Sequence, residues 1–261
     1  MAVEGATRSR STDRVLRVLK YLASQAEPVS AAAIVRECAI PKQTLYPMLQ
    51  DMSERGFVLY LPESKRWGLG ITVFEIGSAY LRSEPLQRIG RPVLAKLTES
   101  VGETSHLAVL HGNEALYLLK HSPPRLSTPL ISDVGVRLPA HLTAVGRAIL
   151  MRLQDSQLRA LYPNQLAFVQ RTGRGSKKLS ELHAELRADR QRGFSVESDL
   201  TSEGVTCIAA PVCDRQGTPV TSVGISFETR AHAEQEWDRL GREVCAAANT
   251  LAQRVHGQVT E

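Results

Sequence analysis

Cysteine and long apolar runs are both scarce in this sequence of 261 residues. The four cysteines, Cys38, Cys207, Cys213 and Cys245, form no CxxC pair, which indicates neither a disulfide framework nor a zinc cluster. No stretch approaches the roughly 18 apolar residues of a membrane span, and the N-terminus lacks the apolar core of a signal peptide. We therefore expect a cytoplasmic protein with reduced thiols, no metal, no cofactor and no membrane partner.

The composition is otherwise that of an ordinary globular protein, with 43% hydrophobic and 23% charged residues. A chain of this length and composition can bury two cores. The formal net charge of +5 suits a polyanionic partner, but basic enzymes that never contact DNA carry similar charge. Basic residues exceed acidic ones over residues 1–90, which is a mild indication of nucleic-acid binding.

The first seventy residues combine three short helical patterns with one hairpin pattern. Apolar spacing predicts helices over 12–24, 31–39 and 42–56, with Ser30 as the N-cap of the second. Two extended runs flank the turn at 62–65. Pro47 would cost little only in the first turn of the third helix, so we expect Thr44 to cap the regular part of that helix.

Three helices followed by a hairpin are typical of a winged helix-turn-helix domain, although similar modules also dock proteins. In the DNA-binding interpretation the third helix enters the major groove, and Gln43 is the best candidate for adenine because its amide both donates and accepts. The hairpin tip would contact phosphate or the minor groove. The candidate DNA-binding residues are Lys42, Gln43, Thr44, Tyr46, Gln50, Lys65 and Arg66.

The remainder of the chain predicts a linker helix followed by a larger α+β domain with an antiparallel sheet. Helical patterns alternate with hairpin patterns around Gly112-Asn113 and 214–217, without the βαβ rhythm of a parallel sheet. We predict a flexible arm over 1–11, a winged helix-turn-helix domain over 12–71, a linker helix over 72–84, and an effector-binding and oligomerisation domain over 85–261.

Three stretches resemble the isocitrate lyase regulator (IclR) family in their order and spacing: PKQTLYPMLQDMSERGFV, DVGVRLPAHLTAVGRAIL and RGFSVESDLTSEGVTCIAAPVCDRQG. The resemblance implies a DNA-binding transcriptional regulator, not an enzyme, with a GAF-like effector domain. It also implies homodimers or homotetramers that bind palindromic double-stranded operators. The sequence departs from the family at Tyr46-Pro47, where a His-Arg-like pair is common.

The resemblance also implies a pocket for a small organic acid, lined by Leu138, His141, Ala144, Val145, Glu197, Cys207, Gly224 and Ser226. Independently of the family, the exposed amides of Ala144 and Val145 at a helix start would attract a carboxylate. Gly224 stands where the family often has a hydroxyl, so we expect a larger, less polar pocket that suits an aromatic acid.

Two alternatives use the same cysteine differently. Cys207, His141 and Glu197 could form a nucleophilic triad for acyl hydrolysis, but no supporting motif accompanies them. Cys207 and Cys213 could form a redox sensor, although six residues along one strand separate them too far for a disulfide. His106, His111 and His121 have no metal-ligand spacing, and we assign them no role.

Overall fold

The computed structural model describes residues 10–83, 85–124 and 130–258. The chain divides into two compact units, Met1–Glu84 and Pro85–Glu261. Most of the arm predicted over 1–11 lies outside the described residues, but Arg10 and Ser11 begin the first helix. None of the helices in these ranges is long and apolar enough to cross a membrane.

The N-terminal unit contains the predicted helices and hairpin. Its antiparallel sheet has three strands in the order β1-β3-β2, and Ser30 caps the second helix by accepting from the Ala33 amide. The elements are α1 Arg10–Ala23, β1 Val29–Ser30, α2 Ala31–Cys38, α3 Lys42–Glu54, β2 Val58–Leu61, β3 Arg66–Leu69 and α4 Ile71–Ser83.

Helix α3 packs one stripe of side chains into the core of this unit. Leu45, Leu49 and Met52 are buried against α1, α2 and the sheet, a spacing that places them on one face of a helix. The helix runs unbroken from Lys42 through Pro47 to Glu54, with Pro41 at its N-cap. The expectation that Thr44 caps it is therefore wrong, because the amide of Thr44 already bonds to the Pro41 carbonyl.

The C-terminal unit is built on an antiparallel sheet of six strands in the order β6-β5-β4-β9-β8-β7. This confirms the predicted α+β class. The strands are β4 Thr104–His111, β5 Glu114–His121, β6 Arg137–Pro139, β7 Ser195–Ser198, β8 Val205–Cys213 and β9 Pro219–Glu228, and the helices are α5 Pro85–Val101, α6 Ala144–Leu150, α7 Asp155–Leu161, α8 Leu179–Arg192 and α9 Glu234–Gln258.

The two faces of this sheet carry different side chains because strand residues alternate in direction. One face holds large apolar residues such as Leu107, Ile208 and Ile225, which pack against α5 and α9. The opposite face holds smaller residues, including Ala108 and Ala209, and packs against α6. Small residues let α6 approach the sheet closely, and this second face contains the predicted effector residues.

Candidate functional site

The outer face of α3 is a row of polar side chains in solvent. Lys42, Gln43, Tyr46 and Gln50 are exposed and Thr44 is half-buried, since the apolar stripe of the same helix faces the core. The Lys42 ammonium lies 5.9 Å from the centre of the Tyr46 ring. Amide, ammonium and phenol groups on one exposed helix face can meet the edges and phosphates of duplex DNA.

The hairpin between β2 and β3 exposes both predicted wing residues. Lys65 is exposed at its tip, in the left-handed region with a φ of 53°. The Arg66 guanidinium donates to the Pro28 carbonyl at 3.1 Å and lies 3.7 Å from the Glu27 carboxylate. Arg66 therefore holds the hairpin against the segment before α2, whereas Lys65 projects from the tip.

A row of three polar side chains crosses the sheet beneath α6. Cys207 on β8 pairs with Ser226 on β9 and with Glu197 on β7, and directly paired residues point to the same face. The Cys207 sulfur lies 3.1 Å from the Ser226 hydroxyl oxygen. The structure thus brings together three of the predicted effector residues, from three strands.

Glu197 is a buried carboxyl with partners in the loop that follows it. It accepts hydrogen bonds from the Leu200 amide at 3.1 Å and the Thr201 hydroxyl at 3.2 Å. Burial raises the pKa of Glu197 to about 7, although these hydrogen bonds oppose the shift. The carboxyl therefore changes its charge near neutral pH.

This raised pKa predicts a pH-dependent stability. Because the folded protein favours the protonated carboxyl, the associated stability is complete below the ordinary pKa of 4.5 and is lost as pH rises to about 7. Glu197→Gln removes this dependence, so its free energy of unfolding relative to wild type should rise by about 2 to 3 kcal/mol from pH 5 to pH 8. Denaturant titrations at both pH values measure the difference, and a pH-independent difference would contradict the prediction.

Helix α6 carries the predicted residues Ala144 and Val145 and is held in place from two sides. Thr143 caps it by accepting from the Gly146 amide at 3.0 Å, and the Ser195 hydroxyl donates to the Ala144 carbonyl at 2.6 Å. Amides in the first turn of a helix have no acceptor within that helix. Leu138 packs in the same apolar cluster as both residues, on the edge strand β6.

The buried arginine of α6 provides a further anchor. Arg147 pairs with the fully buried Asp189 of α8 at 2.8 Å and lies 3.4 Å from the Glu185 carboxylate. Removing one partner of a buried pair leaves an uncompensated charge, so such a pair strongly resists separation. It therefore holds α6 against α8.

Gly224 has a different role from the one that the sequence suggested. A Cβ atom at this position would lie 2.9 Å from both Val145 Cγ1 and Ala209 Cβ. The space that the glycine leaves is thus filled by Val145, and the expectation that Gly224 enlarges the pocket is wrong. The glycine instead allows α6 to approach the sheet, and pocket size no longer supports an aromatic effector.

His141 lies in an aromatic cluster. Its ring packs edge-on against Tyr162 and Phe168, at 5.7 and 5.2 Å between centroids, and its Nε2 donates to the Val169 carbonyl at 3.1 Å. Burial lowers the pKa of His141. These contacts hold the ring through its aromatic packing and its Nε2, while its Nδ1 is buried and has no hydrogen-bond partner among the described residues.

The contacts of Cys207 do not support either alternative chemistry. Its sulfur pairs with Ser226, and burial raises the pKa of Cys207 well above its usual range, so the thiol keeps its proton. A catalytic cysteine instead needs a thiolate. Cys207 and Cys213, both free thiols, are separated by about 20 Å at the rise of an extended strand.

Two residues that the sequence analysis gave no site role share the face of the sheet with this row. His106 on β4 pairs directly with Gly224, and its ring stands edge-on to the Tyr117 ring at 5.3 Å. The Nε2 of His106 lies 3.3 Å from the Ser132 hydroxyl. Because side chains alternate along a strand, the sequence indicates that His106 and Ala108 point to the same face of β4. The pairing of His106 with a residue of β9 depends on distant segments, so the local pattern could not predict it.

The N-terminal unit has the arrangement of a winged helix-turn-helix domain, with an exposed third helix and a two-stranded wing. Together with the larger α+β unit, it defines a two-domain DNA-binding regulator. Residues 11–62 match the IclR helix-turn-helix domain, and residues 78–253 match the model described as bacterial transcriptional regulator IclR C-terminal. The chain therefore belongs to the IclR family and is a DNA-binding transcriptional regulator, which confirms the resemblance seen in its sequence.

Curated relatives and solved structures agree with this assignment. The chain is 28% identical over 251 residues to the acetate operon repressor of Salmonella typhimurium, covering 93% of this chain and 88% of that protein. It superposes on the Thermotoga maritima IclR structure with a TM-score of 0.71 and 25% identity, over 94% and 98% of the two chains. An IclR homolog from Microbacterium hydrocarbonoxydans, complexed with 4-hydroxybenzoate, has a TM-score of 0.77 at 20% identity over 94% and 98%.

Proposed function

We propose that the protein is a cytoplasmic repressor that binds palindromic operator DNA as a homo-oligomer and responds to a small organic acid. The observation that carries the effector half of this proposal is the row beneath α6 formed by the buried Glu197 and Ser226 and the half-buried Cys207. Buried polar groups grouped within an apolar surround are characteristic of a ligand site. The relatives named as repressors support the sign of regulation.

On DNA, α3 lies in the major groove and the wing lies along the backbone. Gln43 is assigned to an adenine edge, with Lys42, Thr44 and Tyr46 beside it, and Gln50 is assigned to phosphate. Gln50 donates one N–H to the Glu54 carboxylate at 3.3 Å in the free protein, and the second N–H of the same amide can donate to a phosphate. Lys65 is the stronger wing candidate, since Arg66 already binds Pro28.

Lys65 offers a test of the wing. Lys65→Gly removes the charge and tolerates the positive φ of 53° at the tip. We expect the slope of log affinity against log salt to become shallower by about 0.9 for each protomer that loses a phosphate contact, with weaker binding to all sequences. Fluorescence anisotropy across a salt series measures the slope, and Lys20→Gly on α1 is the exposed-lysine control for charge. An unchanged slope would remove Lys65 from the interface.

The effector is assigned to the space between the start of α6 and the polar row. Its carboxylate is held by the amides of Ala144 and Val145, and Ser226, Cys207 and the protonated Glu197 supply further hydrogen bonds. Leu138 contributes the apolar wall, and Gly224 contributes indirectly by allowing Val145 and α6 to approach the sheet. His141 supports the chain before α6 through its aromatic contacts, and its Nδ1, which has no hydrogen-bond partner among the described residues, is the atom through which it would contact the ligand.

Support for an aromatic acid comes from a relative. The solved homolog from Microbacterium hydrocarbonoxydans has the same fold and is complexed with 4-hydroxybenzoate. Benzoate and its derivatives are therefore the first acids to test, followed by aliphatic acids of similar length.

The homo-oligomer is supported by an apolar surface on α4. Ile71, Phe74, Ile76 and Tyr80 are all more than half exposed, with Phe74 at 70%. So many large apolar side chains on one helix mark an interaction surface, and a second copy would provide the symmetric partner that a palindromic operator requires. Sedimentation equilibrium of the full chain should give a dimer or tetramer mass, and a single-copy mass would contradict this assignment.

The experiment that tests the whole proposal measures DNA binding and its response to the effector in one assay. Promoter fragments from the protein's own genomic neighbourhood are titrated with the full chain at low salt, and the complex is then titrated with benzoates and aliphatic acids. We expect saturable binding to at least one fragment and release by at least one acid. Failure to bind any fragment would contradict the assigned operator, whereas DNA binding that no acid alters would contradict the assigned effector.

A further inference from the structure

His106 lies on the same sheet face as the row of Glu197, Cys207 and Ser226, next to the Ser226 end of that row. It pairs with Gly224 on β9, and Ser226 lies two residues further along that strand, so His106 and Ser226 are diagonal neighbours on one face. Such neighbours lie about 7–8 Å apart, within reach of long side chains and of a bridging ligand. His106 is only 1% exposed, so its ring is inside the domain.

Tyr117 shares this face of the sheet with His106. Its ring stands edge-on to the His106 ring at 5.3 Å, and it pairs across β4 and β5 with Ala108. Tyr117 also belongs to the apolar cluster that contains Ala144, Val145 and Leu138, with Cys207 packed against it. His106 and Tyr117 therefore lie on the face that packs against α6, the same face that carries Glu197 and Cys207.

The imidazole of His106 is incompletely paired. Its Nε2 lies 3.3 Å from the Ser132 hydroxyl, while its Nδ1 is buried and has no hydrogen-bond partner among the described residues. Burial lowers the pKa of His106 to about 3, so the ring is neutral and does not attract a carboxylate as a cation would. An unpaired buried nitrogen is costly and is usually satisfied by water or a ligand.

The chemistry of a neutral imidazole restricts the group that would pair with Nδ1. If Nε2 accepts from Ser132, Nδ1 carries the proton and donates; if Nε2 donates to Ser132, Nδ1 accepts. A hydroxyl group can both donate and accept, so it suits either tautomer. An ionised carboxylate can only accept, and an apolar group can do neither.

We infer that His106 recognises a hydroxyl group on the effector, so the preferred ligand is a hydroxy-substituted acid with its carboxylate toward α6 and its hydroxyl at Nδ1. This inference rests on the proposed function and extends it. Ser132 holds the ring through Nε2, and Tyr117 holds it through the edge-on contact. His106 is thereby a specificity-determining residue, while Glu197, Cys207 and Ser226 bind the acid end.

Calorimetry on the full chain with matched acid pairs tests the inference. The pairs are benzoate against its 2-, 3- and 4-hydroxy derivatives, and hexanoate against 6-hydroxyhexanoate. We expect at least one hydroxylated member to bind wild type about tenfold more tightly than its parent acid, as one satisfied buried hydrogen bond allows. His106→Phe keeps a ring against Tyr117 but removes both nitrogens, and this preference should disappear. His111→Phe, at the exposed end of the same strand, should retain it.

A second measurement avoids any dependence on how the variant folds. In ¹⁵N spectra of the wild-type histidines, the Nδ1 resonance of His106 should shift with the preferred hydroxylated acid and stay in place with its parent. The inference is contradicted if the His106→Phe variant keeps the full preference for the hydroxylated acid, or if the wild-type Nδ1 resonance responds equally to the hydroxylated acid and its parent. In either case the proposed effector site is retained, but His106 does not recognise the ligand. If no acid of any kind binds wild type, the proposed effector function fails and this inference fails with it.

Discussion

Replacing both Lys42 and Gln43 by alanine should weaken operator binding by about 10²- to 10³-fold while leaving acid binding unchanged. Each base-edge contact contributes about 1–3 kcal/mol, and losses at separate positions are roughly additive. Both side chains are exposed on α3, so their removal disturbs no core contact. Anisotropy with a promoter fragment measures the loss, and calorimetry measures acid binding on the same preparation.

The matched control is the double substitution Lys20→Ala and Gln25→Ala. It removes the same two residue types from exposed positions of the same unit, one on α1 and one in the following turn, so it has the same net charge as the test variant. We expect it to keep most of the operator affinity. Equal losses in the two double variants would mean that α3 has no special role and that general charge drives binding.

Glu197→Ala should have the opposite effect: acid binding at pH 6 falls by roughly 10- to 100-fold and operator binding is retained. At pH 6 the carboxyl is protonated, because its pKa is about 7, and it can donate to a ligand carboxylate. Alanine removes this donor and also the acceptor of the Leu200 amide and the Thr201 hydroxyl. Losing a buried partner of this kind costs about 1.5–3 kcal/mol.

Two control variants separate chemistry from packing at this position. Glu197→Gln resembles the protonated carboxyl, so it should bind acids with nearly wild-type affinity at pH 6 and should not weaken as pH rises. Wild type should lose affinity above pH 7, because the ionised carboxyl repels the ligand. Glu203→Ala removes an exposed glutamate from the same loop and should behave as wild type. Equal losses in the alanine and glutamine variants would contradict the donor role assigned to the protonated carboxyl, because glutamine keeps a donor at this position.

The coupling between acid binding and operator binding predicts how the Glu197→Ala variant behaves when it is bound to DNA. An effector shifts operator binding only if it binds one conformation more tightly than the other. A variant that keeps its operator affinity but loses acid affinity should therefore stay on DNA at acid concentrations that release wild type. Loss of both functions in either the α3 or the Glu197 variants would contradict the division of roles between the two units.

Features that depend on neighbouring residues could be predicted from the amino-acid sequence alone. The apolar spacing of Leu45, Leu49 and Met52 fixed which face of α3 is buried, and hence that Lys42 and Gln43 are exposed. Local patterns also predicted the second helix and its N-cap Ser30, which the structure confirms. Helical and strand periodicities are properties of short segments, so they can be recognised without knowing what the segments pack against.

Contacts between residues that are distant in the chain could be seen only in the folded protein. The pairing of His106 with Gly224 depends on the register between β4 and β9, strands far apart in the chain. The filling of the Gly224 space by Val145 depends on how closely α6 approaches the sheet. The start of α3, with Pro41 at its N-cap, likewise depends on packing. Burial of the helix's apolar stripe stabilises the longer helix by more than Pro47 destabilises its backbone. Register and close packing are set by burial across the whole domain, and no local pattern encodes them.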